Sequence, residues 1–498
     1  MTFDIVLTWI LSLINLGVIG IAGLFTYESV REQEPRAPKI GAAVVGFHLL
    51  LGVLIFVWPP IGIPLAWLFG ILLAVLAIFF IPYKRKTRSL GGAAGYLSGD
   101  PSDFRPTDER DIMFARNRCL IPGTEQYNRY YEMHPEHKEY DDRRRASGGP
   151  LGKPGSIDAS YRPNVSMLIS SFELPNMLGH KARVIPGSAA SQSTYANKRE
   201  APPPAQIEPA KATRIVKGWA KHLGADLVGV CRIDPRWAYS HRGEIHYGEW
   251  DEWGMEIPEP LPYAVVVATA MDHDLVVTAP HTPSVVESGY NYARGAYITT
   301  ILSQWLGTMG YRAVAEHNRH YDLLMVPLAI DAGLGELGRQ GYLIADKYGP
   351  AVRLFAVQTD MPLVPDKPVD LGAEHFCEAC LKCAESCPSR SIPRERERKV
   401  DRGMERWKLN EESCFEYWGK IGTDCCVCMA VCPFSRPYRT IHRVVKYLLR
   451  RSELARMVFP YVDNILYGKR WKPRKALDWM DYPKGVRYRD VQAIEGDA

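Results

Sequence analysis

Nine of the chain's 11 cysteines fall between Cys377 and Cys432, and their order constrains the fold more than any other feature. Cys377, Cys380 and Cys383 recur at every third residue, Cys387 follows after three more, and Pro388 closes the run. A second run holds Cys414 and then, after a longer gap, Cys425, Cys428, Cys432 and Pro433. Eight thiolates in this order suffice for two [4Fe–4S] clusters, and in such paired runs the fourth cysteine of one serves the other cluster. The spacing therefore assigns Cys377, Cys380, Cys383 and Cys432 to one cluster, and Cys414, Cys425, Cys428 and Cys387 to the other. Zinc fits poorly, because its sites use four ligands built around one Cys-x2-Cys per knuckle. Disulfides belong to small secreted domains in oxidising compartments, which this chain does not resemble. Cys426 neighbours Cys425 but falls off the ligand spacing and reads as a spare thiol.

The apolar excess lies at the other end. Residues 5–25, 40–58 and 61–82 are three runs without Asp, Glu, Lys or Arg, each long enough to cross about 30 Å of hydrocarbon. Pro59 and Pro60 read as the turn between the second and third. The first run lacks the basic flank of a signal peptide and two more runs follow, so it is read as a span. No twin-arginine pair precedes it. Arg31, Arg36 and Lys39 in the first loop, and Lys84, Arg85, Lys86 and Arg88 after the third span, share one side of a three-span topology. The positive-inside rule puts that side in the cytoplasm, giving a multi-pass protein of the cytoplasmic membrane with residues 84–498 facing inward. His48, with no evident partner in a neighbouring span, reads as a packing or interfacial residue rather than a haem ligand.

The remainder is long enough for one large or two ordinary soluble domains. A net charge of +5 is too small to argue for nucleic acid. Residues 84–210 read as irregular, punctuated by Gly91-Gly92, Ser147-Gly148-Gly149-Pro150 and Ala201-Pro202-Pro203-Pro204. Asp141-Asp142-Arg143-Arg144-Arg145 reads as a solvated surface segment. From Pro209 the pattern turns α/β. Helices are expected over 212–223 and 292–309, and strands over 226–231, 263–270, 323–327 and 352–358. Between the last two strands, Gly333, Gly335, Gly338 and Gly341 surround Arg339, a density that permits tight turns and close approach to a ligand. The loop lacks the endings of a nucleotide-binding loop and reads as cofactor-facing. Arg436, Arg439, Arg443, Lys446, Arg450 and Arg451 form a basic stretch suited either to an anionic membrane face or to solvent, before an aromatic tail with Trp471 and Trp479.

From about residue 105 to 490 the chain resembles the corrinoid and iron–sulfur reductive dehalogenases. The features, in order, are Gly289-Tyr290-Asn291-Tyr292, Met309-Gly310-Tyr311-Arg312-Ala313, Pro327 through Arg339, Tyr348-Gly349-Pro350-Ala351-Val352-Arg353, Thr359-Asp360-Met361-Pro362-Leu363, and the uneven second cysteine run. The resemblance implies an α/β (α+β) fold with a nitroreductase-like cobalamin-binding core and a ferredoxin-like two-cluster domain, preceded here by three transmembrane helices. Residues 1–83, with the loop from Glu28 to Ala37, look like the family's small three-span anchor protein fused in front. The implied domains are the anchor (1–83), a wrapping segment (84–210), the catalytic core (211–370), the two-cluster domain (371–440) and an extension packing on the core (441–498).

The resemblance also implies an organohalide substrate, a cobalamin that breaks the carbon–halogen bond, and a tyrosine that protonates the carbon fragment. Tyr292 matches the tyrosine position, Asn318 a polar residue on the halide side, and Arg353 the basic partner. A phenol titrates near 10 and is a poor acid unless a cation stabilises the phenolate. Tyr290 and Tyr297 compete for the donor role, and Arg339 competes with Arg353. Gly333, Gly335, Gly338 and Arg339 are the expected cofactor contacts. Membrane lipid, a quinol or other membrane electron donor, and a second copy in a homodimer are the expected partners, with no nucleic acid. An epoxyqueuosine-reductase-like enzyme is the nearest alternative, disfavoured by the three spans and the small charge. A non-catalytic electron carrier is disfavoured because two clusters need no scaffold as long as 210–375.

Overall fold

A computed structural model describes residues 2–146, 148, 162–179, 182–184, 203–246 and 250–480. Several of the expected turn residues around 147–150 and 201–202, and the end of the C-terminal extension, lie outside the described residues. The chain divides into two compact bodies. One comprises Met1–Thr87, Leu371–Cys380 and Arg436–Trp471, and the other Arg88–Asp370, Leu381–Ser435 and Lys472–Ala498.

The first body begins with helices Thr2–Arg31, Ala37–Val57 and Pro59–Leu76, the last continuing as a 3-10 turn through Phe80. All three are long and apolar enough to cross a membrane. Pro59 and Pro60 open the third helix instead of standing between two helices, because a first-turn proline forfeits no intrahelical bond. Large apolar side chains such as Trp9, Leu13, Phe56 and Leu68 face outward, while Leu11, Leu51, Ile55 and Ala66 pack inward. The first two helices touch closely at Gly41, where a Cβ would lie 2.2 Å from the Thr26 hydroxyl. His48 does have a partner in a neighbouring helix: its Nδ1 lies 2.7 Å from Asn15 Oδ1, and Asn15 Nδ2 donates to the His48 carbonyl at 2.8 Å. The expectation of an isolated histidine failed because a lone asparagine in an apolar run carries no periodic signal.

The acidic end of the first helix and the loop after it are buried against the C-terminal part of the same body. Glu28 accepts from the backbone N–H groups of Thr440 and Ile441, both at 3.2 Å, which caps helix Thr440–Arg451. Glu32 meets His442 at 3.0 Å, and Glu34 meets Arg436 at 2.9 Å. Further along, Gly372 has a left-handed φ of 74° and starts helix Ala373–Ala379, which carries Cys377. A Cβ there would lie 2.4 Å from Arg456 Nε. Arg456 is fully buried and donates to the Leu449 carbonyl at 2.8 Å and the Arg85 carbonyl at 3.2 Å, and it lies 2.7 Å from His375 Nδ1. A buried guanidinium thus fixes the helix from which Cys377 and Cys380 project.

The second body is built on an antiparallel sheet. Its strands, with those of a nearby hairpin, are β1 (Arg183–Val184), β2 (Leu227–Arg232), β3 (Tyr263–Ala270), β4 (Ala313–Glu316), β5 (Gly335–Leu337), β6 (Leu343–Ala345) and β7 (Val352–Thr359). The sheet order is β1-β4-β7-β3-β2, and β5 and β6 form the separate hairpin. Successive side chains alternate faces. Ala264, Val266 and Ala268 of β3 join a core with Trp237, Leu328 and Tyr96, while Val265 and Val267 join Val216, Ile298 and Leu302 on the other face. The unbroken apolar run of β3 reflects cover on both sides.

Helix Thr282–Thr308 crosses one face and begins ten residues before the expected start, because its first turns are rich in Ser, Thr and Gly. Its closest approach to the sheet is at Gly295, where a Cβ would lie 2.2–2.3 Å from the ring of Phe355 in β7.

Three sequence expectations are corrected here. The stretch 323–327 is not a strand: Met325–Asp331 is a helix with Pro327 in its first turn. A short apolar run does not distinguish a buried strand from a buried helix. Residues 84–210 contain helices Met113–Cys119, Glu125–Met133, Pro135–Ala146, Arg162–Ser171 and Glu173–Leu178. Tyr127, Tyr130 and Tyr131, not aliphatic residues, supply much of the buried face. Finally, Asp141 and Arg144 are each 3% exposed and not solvated. Asp141 receives both Arg116 Nε (2.9 Å) and Nη2 (2.8 Å), and Arg144 lies over the Phe415 ring at 4.8 Å. These contacts brace helix Glu411–Ile421, which carries Cys414.

Candidate active site

Six cysteines of the paired runs lie in the second body. Helix Lys382–Ser386, which carries Cys383, packs against helix Val427–Ala430, which carries Cys428. None of the 11 cysteines is joined in a disulfide. Burial, and then the charge of the neighbouring Cys387 sulfur, pushes Cys414 up to about 12. Cys425 and Cys428 are held well above the ordinary thiol range by burial and by the sulfurs of their own group. Cys387, Cys414, Cys425 and Cys428 therefore gather in one place. Cys377 and Cys380 lie in the first body on their own braced helix.

The turn into the second run is strained. Cys425 and Cys426 have φ of 65° and 54°, consecutive left-handed residues that are not glycine. Such conformations cost about 1–3 kcal/mol each and persist where surroundings enforce them. Thr423 Oγ1 accepts from the Cys425 N–H at 3.1 Å and donates to the Pro280 carbonyl at 2.5 Å, holding the turn. Cys426 is buried, and its Sγ lies 3.2 Å from Asp424 Oδ1.

Arg353, near the start of β7, stands over the ring of Tyr292 with its guanidinium carbon 5.2 Å from the centroid. Tyr292 also meets Phe355 edge-on at 6.4 Å. The guanidinium donates to Ser288 Oγ at 2.5 Å and to Asp424 Oδ2 at 3.1 Å. Burial alone would lower its pKa, but the charges of Tyr292, Cys426 and Asp424 raise it above the usual arginine value, so the cation is held. Tyr290 and Tyr297, the competing tyrosines, are 53% and 42% exposed. Arg294 lies over the Tyr290 ring, whereas Arg353 lies over Tyr292.

Arg353 is paired across the sheet with Thr269, and the antiparallel β4–β7 register carries the turn after Glu316 toward the same sheet end. Asn318 sits in that turn, closed by reciprocal backbone bonds between His317 and His320 at 2.8 and 2.9 Å. Both side-chain polar atoms of Asn318 are buried without a partner, as are His317 Nε2, His320 Nδ1, Thr269 Oγ1, Thr300 Oγ1 and Arg353 Nε. Burial holds His317 down to about 3 and His320 down to about 4, so both imidazoles are neutral. Unpartnered buried polar atoms are costly, and a cluster of them at one end of a sheet fits a bound group edged with donors and acceptors.

The glycine-rich segment is the β5–β6 hairpin. Gly333 (φ 73°) and Gly335 are required by the protein's own backbone: a Cβ would lie 2.4 Å from the Lys367 carbonyl or 2.2 Å from the Ile344 carbonyl. A Cβ at Gly338 would lie 2.8 Å from Gln340 Oε1. Arg339 is fully buried, donates to the carbonyls of Pro393 (3.1 Å) and Glu395 (2.6 Å), and stacks on Trp407. Gln340 Nε2 is buried without a partner. Tyr342 is held well above the ordinary phenol range by burial and by Cys428 and Cys414, with Arg353 opposing. Tyr342 of the hairpin therefore lies near both the cysteine quartet and Arg353.

Sequence reading missed Ser288, Asp424 and Tyr342. Ser288 stands four residues before Tyr292 and so shares its helix face, a signal that was available. Asp424 and Tyr342 reach the site by contacts across long chain separations.

No protein-family model matches the chain. It is 34% identical over 328 residues to the tetrachloroethene reductive dehalogenase of Sulfurospirillum multivorans, covering 59% of this chain and 65% of that protein. The chain is related to the reductive dehalogenases. The namesake enzyme of Dehalobacter restrictus is 32% identical over 278 residues, covering 47% of this chain and 50% of that one. The chain thus spans between half and about two thirds of these reductive dehalogenases. Its fold matches a variant of the catabolic reductive dehalogenase NpRdhA with a TM-score of 0.54 at 21% identity, over 81% of this chain and 53% of that one. The resemblance in sequence and the mixed helix-and-sheet architecture agree.

Proposed function

We propose that this chain is a membrane-anchored, corrinoid-dependent reductive dehalogenase that replaces the halogen of an organohalide with hydrogen, consuming two electrons and a proton and releasing halide. The observation that carries this reading is the Tyr292–Arg353 contact at a sheet end edged by unpartnered polar atoms, beside the quartet of Cys387, Cys414, Cys425 and Cys428. A bound corrinoid supplies the reduced cobalt at which the carbon–halogen bond is broken, and two [4Fe–4S] clusters supply its electrons singly. Thr269, Gln340, His317 and His320 are suited to hold the edge of that group. Cys377, Cys380, Cys383 and Cys432 are proposed for the second cluster.

The chain's own residues supply the proton and the setting. Tyr292 gives its phenol proton to the carbon fragment. Arg353 faces the negative charge that develops on the phenol oxygen, which makes that transfer easier. Asn318 presents an amide to the departing halide. The covered sheet keeps bulk water from the fragment. In this reading residues 1–83 anchor the chain to the cytoplasmic membrane with the catalytic part facing inward, and a quinol or another membrane carrier donates the electrons. The catalytic core (211–370), two-cluster domain (371–440) and C-terminal extension (441–498) are proposed as functional divisions, although the compact bodies group 371–380 and 436–471 with 1–87, and a homodimer is the proposed assembly.

The test is halide release from a panel of chlorinated and brominated compounds by anaerobically purified full-length protein carrying corrinoid. Tyr292→Phe should lower turnover by about 10²–10⁴-fold with both clusters retained. Absence of halide release across the panel from protein that contains cobalt, or full activity of Tyr292→Phe, would contradict the reading.

A further inference from the structure

Asp424 stands one residue before Cys425, and its carboxylate gathers groups from three separate elements. Arg353 Nη2 of β7 donates to Oδ2 at 3.1 Å. The Ser288 hydroxyl, on the long helix, donates to the same oxygen. Cys426 Sγ donates to Oδ1 at 3.2 Å. Ser288 also accepts from Arg353 Nη2, closing a ring of carboxylate, hydroxyl and guanidinium. Ser288 and Tyr292 are one helical turn apart, so the same helix face presents the anchor and the phenol. The Arg353 and Asp424 side chains are only 14% and 11% exposed.

We propose that Asp424 is a positioning residue for the proton donor: through Arg353 and Ser288 it holds the guanidinium over Tyr292, and it joins that geometry to the loop that presents Cys425. The proposal rests on the dehalogenase reading for the role of Tyr292. Of the guanidinium's contacts, Ser288 is a hydroxyl, Tyr292 meets it through its ring face, and Nε has no partner. Asp424 is the one charged acceptor bonded to Arg353 among the described residues. Removing one member of a buried ion pair leaves the other charge uncompensated, and a mobile arginine turns toward any other acceptor or water. A buried pair of this kind also has a purely structural explanation, that Asp424 only fastens the cysteine loop. The two explanations differ in what is lost: positioning predicts lost turnover with the cluster intact, whereas fastening predicts lost iron.

The experiment compares wild type, Asp424→Asn and Ser288→Ala as full-length holoproteins. Asp424→Asn is expected to lower kcat by about ten- to a hundredfold, the scale of a misplaced catalytic group, with KM little changed. The pH profile of kcat should move and the solvent isotope effect should grow, because proton delivery becomes slower. Iron content and the electron paramagnetic resonance spectrum should stay as in wild type. Ser288→Ala, which keeps the carboxylate, should show a smaller loss in the same direction. A readout independent of activity is the double-substitution cycle of Asp424→Asn with Arg353→Met, followed by thermal unfolding. The two changes should be strongly non-additive, and additive shifts would overturn the contact. Unchanged kcat and pH profile, or loss of iron in step with activity, would overturn the positioning role. Wild type that binds cobalt yet releases no halide would instead remove the dehalogenase reading, while the cycle would still decide whether Asp424 holds Arg353.

Discussion

Gly295→Ala tests how the fold delivers Tyr292 to Arg353. The added methyl carbon would lie 2.2–2.3 Å from three carbons of the Phe355 ring, deep inside van der Waals contact. Phe355 is 1% exposed, so the ring has no space to swing into. Overpacking of this kind costs about 1–3 kcal/mol, and three simultaneous overlaps put it near about 3. Replacing glycine by alanine inside a helix returns about 1 kcal/mol. The net expectation is a loss of about 2 kcal/mol, or roughly 4–8 °C in unfolding midpoint at the scaling of domains of 150–250 residues. The functional loss should exceed the stability loss. Tyr292 sits three residues earlier on the same helix and packs on Phe355 at 6.4 Å, so a helix pushed from the sheet carries the phenol away from Arg353. Turnover should fall by at least about tenfold at temperatures where the protein is fully folded. Phe355→Leu introduced with Gly295→Ala should recover much of both losses by making room. The assay pairs thermal unfolding with halide release. A Gly295→Ala protein as stable and active as wild type would refute the close approach and the dependence of the donor geometry on it.

The remaining expectations follow from the cysteine group and the buried acids. Cys387→Ser or Cys414→Ser should remove one cluster and about half the iron, read by iron analysis, while Cys426→Ser should retain about eight irons per chain. If only the Cys426 change destroys a cluster, the ligand register is wrong by one. Stability of the second body should fall as pH rises from about 6.5 to 8. Burial raises Glu109 from 4.5 to about 8, so the folded state holds a proton that the unfolded chain releases, and that contribution is lost as pH rises through the folded value. Below about 6.5 the depressed His317 and His320 act in the opposite sense, favouring folding as pH rises, and offset it. Glu109→Gln should remove about 2 kcal/mol of the decline between pH 6.5 and 8, measured by unfolding midpoint. A slope unchanged by that substitution would show that Glu109 is ionised when folded.

Much of this architecture is legible in the sequence. The runs at 263–270 and 352–358 are strands because valine-rich segments covered on both faces have no competing helical period. The three N-terminal helices follow from length and apolarity alone. What was not readable had a physical reason each time. The apolar stretch 323–327 is too short to choose between the two elements: Leu323 bridges to Ala238, and extended Leu324 leads into the helix that starts at Met325. The helices before residue 180 bury tyrosines and paired charges, so their hydropathy reads as loop. Asp141 looked solvated because its partner Arg116 lies 25 residues away. Around Tyr292, the helix face and the β7 strand could be read from sequence. The acid that fixes Arg353 could not, since Asp424 joins it across 71 residues.

The most direct test is the metal content of the full-length chain purified under anaerobic conditions after production with corrinoid, together with halide release by the same sample. About eight irons and one cobalt per chain, with halide freed from at least one organohalide, is the expected result. Iron without cobalt, in protein that retains its fold and cannot be reconstituted with corrinoid, would contradict the dehalogenase assignment and leave an iron–sulfur electron carrier.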